Sequence, residues 1–130
     1  FDKDDFSDFD EAVALAERYG YKAAWSNQSF EYWIFLHFNY SDADISQGEW
    51  TSKINDSFKR KGIDPNGYTK NDPQVFKLAT EKGSLKTAVQ HARKIEAQYP
   101  SGTLPSKCAP CTTVHHLIEA LSPYLSELLK

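Results

Sequence analysis

Apolar residues recur at helical spacing along most of this chain, and the pattern predicts a helix-rich domain. In residues 9–19, Phe9, Val13 and Ala16 fall on one face, and Gly20 follows as a stop signal. The same spacing predicts further helices over 30–38 and 47–61, after Pro73, after Ser84, and from Thr112 or Thr113 onward.

The last predicted helix carries two adjacent histidines in its first turn. His115 and His116 have no accompanying ligand spacing, so they are expected to be surface or capping residues. The residues expected to face the core from this helix are Val114, Leu117, Ile118 and Leu121.

Two short extended segments flank the first helix. Residues 1–5 have the character of a strand end, and residues 21–25 form a short strand candidate. A strand, an acidic turn, a helix and a second strand make a βαβ-like unit, which favours an α/β sheet over a helix bundle. Ligands of such sheets bind outside the carboxyl ends of the strands, so Asp2 and Asp4 are expected to lie close to residues 26–27.

The run from residue 30 to residue 38 is apolar almost all round, which predicts a buried helix. Glu31 and His37 are its exceptions. A carboxylate in such a setting must be paired, bound to metal or placed at the wet end of the helix. Two interpretations of Glu31 and the preceding Asn27 stay open: contact with metal or substrate, or capping of the helix start. His37 is expected to be a hydrogen-bonded core histidine.

The charge distribution along the chain is uneven. The 130 residues carry a net charge of −3, yet six of the 18 acidic residues fall within residues 1–11, where Lys3 is the only base. This division fits an acidic metal pocket beside a phosphate-binding surface, and it also fits a solvated acidic turn ahead of a helix. The sequence has no apolar run long enough to span a bilayer. It also lacks phosphate-loop, Ser/His/Asp and DNA-reading helix motifs.

Carboxylates dominate the candidate chemistry at the start of the chain. Asp2, Asp4 and Asp5 would repel one another unless a cation or bound water relieved them. Mg²⁺ is typically held by one or two carboxylates together with waters and phosphate oxygens. The sequence therefore predicts a metal site for phosphate chemistry here. Tyr68 and Lys70 are candidates for phosphate contact from a loop, although a plain surface loop explains them equally well.

The only cysteines, Cys108 and Cys111, form a Cys-Ala-Pro-Cys pair in a predicted loop. One such pair provides only half a zinc site, and it lacks the preceding strand expected of a redox motif. A structural or incidental role is therefore favoured. A cytoplasmic, reducing compartment is the default expectation.

Four segments together resemble the RloB-like family. They are Phe-Asp-Lys-Asp-Asp at 1–5, Ala-Trp-Ser-Asn-Gln-Ser-Phe-Glu-Tyr-Trp-Ile-Phe-Leu-His-Phe at 24–38, Gly-Tyr-Thr-Lys-Asn-Asp at 67–72 and Thr-Thr-Val-His-His-Leu-Ile-Glu-Ala-Leu at 112–121. The Ser-Asn-x-x-Phe-Glu-x-Trp-x-x-Leu-His-Phe pattern is the specific part. The resemblance implies a Toprim-like α/β fold in which carboxylates hold Mg²⁺ (or Mn²⁺) to break phosphodiester bonds. It also implies a place in bacterial or archaeal defence loci, often beside an ABC-type ATPase.

The chain also departs from the pattern of that family. Asp2-Lys3-Asp4 matches its Asp-x-Asp, but the Glu-Gly segment that should precede this motif is absent. Residues 1–130 are therefore expected to be a single domain or a domain fragment, the C-terminal part of a larger domain that lacks its N-terminal strands. Ala-Pro-Cys-Thr at 109–112 stands where the family commonly has Asn-Pro-Ser-Thr, which argues against a zinc or redox role for Cys111.

The combined prediction is a Mg²⁺-dependent nuclease that acts on foreign nucleic acid with an ABC-type ATPase partner. The residues expected to carry it are catalytic Asp2, Asp4 and Glu31, metal-binding Asp2, Asp4 and Asp5, and substrate-binding Asn27, Tyr68 and Lys70.

Three rival functions compete with the nuclease as explanations of the sequence. The non-catalytic alternative is a module that docks the ATPase or senses nucleic acid, and a homo-oligomer stays open in either case. A phosphatase with an aspartate nucleophile is disfavoured because Phe6 occupies the Thr position of its motif. A calcium loop is disfavoured because Phe6 also takes a ligand position and the required glycine is missing.

Overall fold

The computed structural model describes residues 1–124, which form six helices and one two-stranded antiparallel sheet. The helix-rich α/β class predicted from the sequence is thereby confirmed. None of the helices in this part of the chain is both long and apolar enough to cross a membrane. The elements are α1 (Phe9–Arg18), β1 (Ser26–Asn27), α2 (Phe30–Leu36), α3 (Gln47–Arg60), α4 (Val75–Glu81), α5 (Leu85–Glu96), β2 (Cys111–Thr112) and α6 (Val114–Ala120), with single 3-10 turns at Pro105–Lys107 and Ser122–Tyr124.

The sheet is short and joins distant parts of the chain. Ser26 of β1 lies opposite Thr112 of β2, and Asp2 forms a single parallel bridge to Ser26 from the other side. The predicted strand over residues 21–25 is wrong, since the strand begins at Ser26, where the chain meets both partners. The strand at residues 111–112 was not predicted at all, because a two-residue strand has no periodicity of its own.

Local capping signals explain where the two longest helices begin. Ser46 and Glu49 form a reciprocal capping box at the start of α3, with Ser46 N–H donating to Glu49 Oε2 at 2.7 Å. Ser84 accepts the backbone N–H of Thr87 at the start of α5. Both helix starts agree with the sequence-based prediction.

The main core lies between α2, α3 and α5. Helix α2 packs against both of the others, and the predicted apolar run is buried from residue 31 to residue 37. Side chains of this size each contribute roughly 1.5–3 kcal/mol when fully buried. The fully buried large residues of this core are Tyr32, Leu36, Trp50, Ile54, Phe58 and Ile95.

A second, smaller core lies beneath α1. Phe9 packs edge-on against Trp25, with ring centroids 5.5 Å apart, and Cys108 and Cys111 belong to the same buried cluster. Asp10 of α1 accepts two hydrogen bonds from Ser106, at 2.7 Å from its backbone N–H and 2.6 Å from its hydroxyl. These contacts fix the Pro- and Gly-containing loop before β2 onto α1.

The residues of α6 that face the core differ from those predicted. Leu117 and Leu121 are 48% and 41% exposed, whereas His115 is fully buried. The start of α6 follows β2 directly, so the strand pairing fixes its rotation and directs Val114 and His115 inward. The expectation that His115 is a surface or capping residue is therefore wrong.

Candidate functional site

Backbone hydrogen bonds hold the first residues of the chain beside β1. Lys3 N–H donates to Ser26 O at 2.9 Å, and Asp4 N–H donates to Gln28 O at 2.9 Å. On the other side of β1, the hydroxyls of Ser26 and Thr112 share a hydrogen bond of 2.8 Å. The predicted proximity of the acidic start to residues 26–27 is confirmed.

Glu31 is a buried carboxylate with little polar compensation. It is 5% exposed, and its hydrogen bond from Gln47 Nε2 is long, at 3.4 Å. A buried carboxylate is costly unless it is paired, hydrogen-bonded or bound to a metal. Glu31 therefore lies in a place where a cation would stabilise it.

Asp2 lies close to that carboxylate. Partial burial raises the pKa of Asp2 above its usual value, and the negative charge of Glu31 raises it further. The charge of Asp4 adds a smaller effect in the same direction, while the N-terminal ammonium and the backbone N–H of Phe30 oppose the rise. Asp2 thus lies within electrostatic reach of Glu31 and Asp4, the other two carboxylates predicted to be catalytic.

Two buried oxygen atoms in the segment that precedes Glu31 lack hydrogen-bond partners within residues 1–124. They are Asn27 Oδ1 and Ser29 Oγ, and both residues are fully buried. The Nδ2 group of Asn27 instead donates to Pro105 O and Ser106 O, at 3.3 and 3.2 Å. Asn27 is therefore not a helix cap. Ser29 is the residue before α2, and it makes no side-chain capping bond.

Asp4 and Asp5 do not continue a strand from Asp2. Asp4 has a φ of +46°, a left-handed conformation that Asp tolerates better than most residues, so the strand end predicted for residues 1–5 stops before Asp4. Asp4 lines one cavity with Asp2 and another with Asp5. Asp5 is exposed and faces the second cavity, whose other acids are Asp44 and Glu49.

The four acids predicted as metal ligands or catalytic residues do not form one compact group of ligands. Among the residues that the structure describes, no three of the ligand atoms from Asp2, Asp4, Asp5 and Glu31 lie within 4.8 Å of one another. The donor set still fits a hard divalent cation, because Mg²⁺ uses one or two carboxylates and keeps several waters. The unpartnered oxygens within residues 27–31 are ligands of the same hard type.

Tyr68 and Lys70 occupy different environments. Tyr68 is buried, and burial together with the charge of Glu31 raises its pKa to about 12. Its ring packs edge-on against Phe58, so it is a core residue near Glu31 and not part of a plain surface loop. Lys70 is exposed in the same loop.

The surroundings of His37 and of the two cysteines agree with the roles predicted for these residues. His37 is 6% exposed, its Nδ1 lies 2.9 Å from Trp33 O, and burial lowers its pKa, which confirms the core histidine. Cys108 and Cys111 are both buried free thiols. Burial raises the pKa of both, that of Cys111 to about 12, which fits the structural role predicted for them.

One cluster of potential ligands was not predicted from the sequence. Glu96 at the end of α5 lies beside His115 and His116 at the start of α6. The sequence carried a weak signal in the adjacent histidines, but the third ligand lies on another helix. Only the packing of α5 against α6 brings the three together.

Comparison with known proteins gave one match. A family model described as RloB-like protein matches residues 1–121, which include every site residue discussed above. No curated protein and no solved structure matches this chain. The match confirms the family resemblance that the motifs predicted.

Proposed function

This chain belongs to the RloB-like protein family, and we propose that its carboxylate site serves Mg²⁺-dependent hydrolysis of phosphodiester bonds in nucleic acid. The proposal includes a Toprim-like arrangement of the site. It also includes a role in defence against foreign nucleic acid, together with an ABC-type ATPase partner. These finer statements rest on the family resemblance and on the chemistry of the site.

The observation that supports this function most strongly is the buried carboxylate of Glu31 beside Asp2. Placing two carboxylates side by side costs stability, and the long amide contact to Glu31 and the backbone N–H of Phe30 at Asp2 offset that cost only in part. Such an arrangement is typical of a site whose geometry is kept for binding and catalysis. A divalent cation would reverse the electrostatic penalty by placing positive charge between the two groups.

The proposed roles follow from the positions of the residues. Asp2 and Glu31 would hold the cation, and Asp4 would add negative charge beside Asp2. Asn27 and Ser29 would offer the oxygens that lack partners among residues 1–124. Lys70, exposed on its loop, would contact the phosphate backbone of the substrate. A Mg²⁺ ion held by these residues would supply Lewis-acid chemistry, polarising the scissile phosphate and stabilising the charge on the attacking or leaving oxygen.

A cleavage assay on the purified protein tests this function. Single- and double-stranded DNA and RNA would be incubated with Mg²⁺ or Mn²⁺ and with wild type, Glu31→Gln or Asp2→Asn. Each variant is expected to reduce the rate by at least about a hundredfold, as removal of an electrostatic contact to the reacting group typically does. Glu11→Gln is the matched control, because Glu11 is an exposed acid of α1 outside the site. Cleavage by Glu31→Gln at the wild-type rate would contradict the proposal.

The non-catalytic alternative has one observation in its favour. Within the described part of the chain, the acids of the site do not form a three-ligand metal group. A module that docks the ATPase or senses nucleic acid would bind nucleic acid without cutting it. In the same assay, tight binding without cleavage under any divalent cation would favour this second function.

A further inference from the structure

Glu96, His115 and His116 form the only group of three or more His, Cys, Asp or Glu side chains within residues 1–124 whose ligand atoms all lie within 4.8 Å of one another. The Nε2 atom of His116 is 2.7 and 2.9 Å from the two carboxylate oxygens of Glu96. The Nε2 atom of His115 is 3.5 Å from Glu96 Oε1. In a tetrahedral zinc site with bonds of about 2.0–2.1 Å, ligand atoms lie roughly 3.3 Å apart. The observed separations bracket that spacing.

His115 supplies a second, independent observation. The residue is fully buried, and neither ring nitrogen has a hydrogen-bond partner among the described residues. Its approach to Glu96 at 3.5 Å is too long to satisfy the ring as a good hydrogen bond. A buried imidazole without partners is unfavourable, whereas a metal ion bound to Nε2 would satisfy that nitrogen. The ring is therefore held next to the other two ligands with its coordinating atom unused.

The surroundings leave room for a further ligand. Glu96 and His116 line a cavity of about 1000 Å³, which also contains Glu119, Glu17 and Asp10. No residue of this cavity lines the cavity that contains Asp2 and Asp4. The acidic walls favour a cation, and the open space allows water or a small ligand to reach it.

We propose that Glu96, His115 and His116 bind one divalent transition-metal ion of the Zn²⁺ class, in a site that joins α5 to α6 and faces this cavity. Two imidazoles and one carboxylate are ligands suited to Zn²⁺ and its neighbours, whereas Mg²⁺ prefers oxygen ligands alone. Three protein ligands leave the fourth position open to the cavity. The site is separate in ligands and in metal preference from the carboxylate site of Asp2 and Glu31.

Metal binding to the purified, chelator-treated protein tests the site. Zn²⁺ would be titrated in competition with a chromophoric chelator, with wild type, Glu96→Gln and His116→Gln. Both substitutions keep the side chain similar in size and lie outside the hydrophobic cores, so His115 itself need not be changed. The control is Glu119→Gln, because Glu119 lines the same cavity but its carboxylate is held by Arg93 at 2.7 Å.

The expected result is one Zn²⁺ per chain in wild type and in Glu119→Gln, and a loss of affinity of at least about tenfold in the other two variants. Bound Co²⁺ is expected to show a tetrahedral visible spectrum without thiolate charge-transfer bands. Equal Zn²⁺ affinity in all four proteins, or no stoichiometric binding by wild type, would overturn the proposal. Thiolate bands would overturn the ligand assignment, since they would place the metal on Cys108 and Cys111.

Discussion

The fold places Asp2 and Glu31 close together, although the negative charges of the two carboxylates repel each other. Burial and the neighbouring carboxylate of Glu31 raise the pKa of Asp2, so the fold favours its protonated form. Binding of a cation, as proposed for this site, requires the ionised form instead. The stability of the protein and its proposed function therefore place opposite demands on Asp2.

The first prediction concerns how the contribution of Asp2 to the free energy of unfolding depends on pH. Since the pKa of Asp2 in the folded state lies above its unfolded value of 3.8, its stabilising contribution is complete below pH 3.8. That contribution is lost as the pH rises through the folded-state pKa. Asp2→Asn is therefore expected to have a higher free energy of unfolding than wild type at pH 7, with a gain that shrinks as the pH falls toward 3.8. Urea unfolding at several pH values, without divalent cations, measures this.

Glu11→Gln is the control for the pH series, because it removes an exposed negative charge from the same acidic part of the chain. It is expected to show little change in unfolding free energy at either pH. A lower stability of Asp2→Asn than of wild type at pH 7 would contradict the description of Asp2 as a strained carboxylate.

At the scale of elements, the turn after α3 shows how backbone conformation and packing act together. Gly67 has a φ of +76° and is buried, and a Cβ atom at this position would overlap the side chain of Asn55. The Oδ1 atom of Asn55 accepts the backbone N–H of Tyr68 at 3.0 Å. The turn therefore fixes Tyr68 in the core near Glu31, and it requires glycine for two separate reasons.

The second prediction separates the cost of the left-handed backbone at Gly67 from the cost of displacing the Asn55 side chain. Gly67→Ala is expected to destabilise the protein by about 2–4 kcal/mol, from the left-handed backbone and from the displaced Asn55, which leaves the Tyr68 N–H unpaired. Gly20→Ala is the matched control, because Gly20 has a φ of +83° and no atom within 4 Å of the added Cβ. Its expected cost is only about 1 kcal/mol, from the backbone alone. Thermal or urea unfolding of both variants gives the comparison, and equal costs would contradict the role assigned to Asn55.

Sequence patterns predicted the helices because the spacing of apolar residues is a local feature. The cap at Ser84, the helix beginning at residue 47 and the apolar run of α2 appear where they were expected. The strands were not predictable in the same way. Ser26 pairs with Thr112, 86 residues away, and two residues are too few to show an alternating pattern.

The features of the candidate site also differ in whether the local sequence could predict them. Asp2 and Glu31 could be named from the sequence because an acidic start and a charged residue in an apolar run are local anomalies. The left-handed conformation of Asp4 and the burial of His115 depend on tertiary contacts. The clustering of Glu96 with the two histidines likewise depends on how α5 meets α6, which no local pattern encodes.

At the scale of the whole molecule, the short sheet organises the family motifs. The parallel bridge brings residues 1–5 to one side of β1, and the pairing of β1 with β2 brings Thr112, the first residue of the motif at 112–121, to the other side. The buried helix α2 follows β1 and carries Glu31 to Asp2. A helix-rich chain thus places its candidate chemistry beside a sheet of only a few residues.

Electron paramagnetic resonance of free and bound Mn²⁺ shows whether Asp2 and Glu31 share a divalent cation. The measurement would use His116→Gln as the background, so that the second proposed metal site does not contribute. We expect this protein to remove the sharp signal of free Mn²⁺ with saturable binding, and we expect Asp2→Asn or Glu31→Gln, but not Glu11→Gln, to abolish the effect when added. Undiminished Mn²⁺ binding after Glu31→Gln would show that the two carboxylates do not hold the cation together.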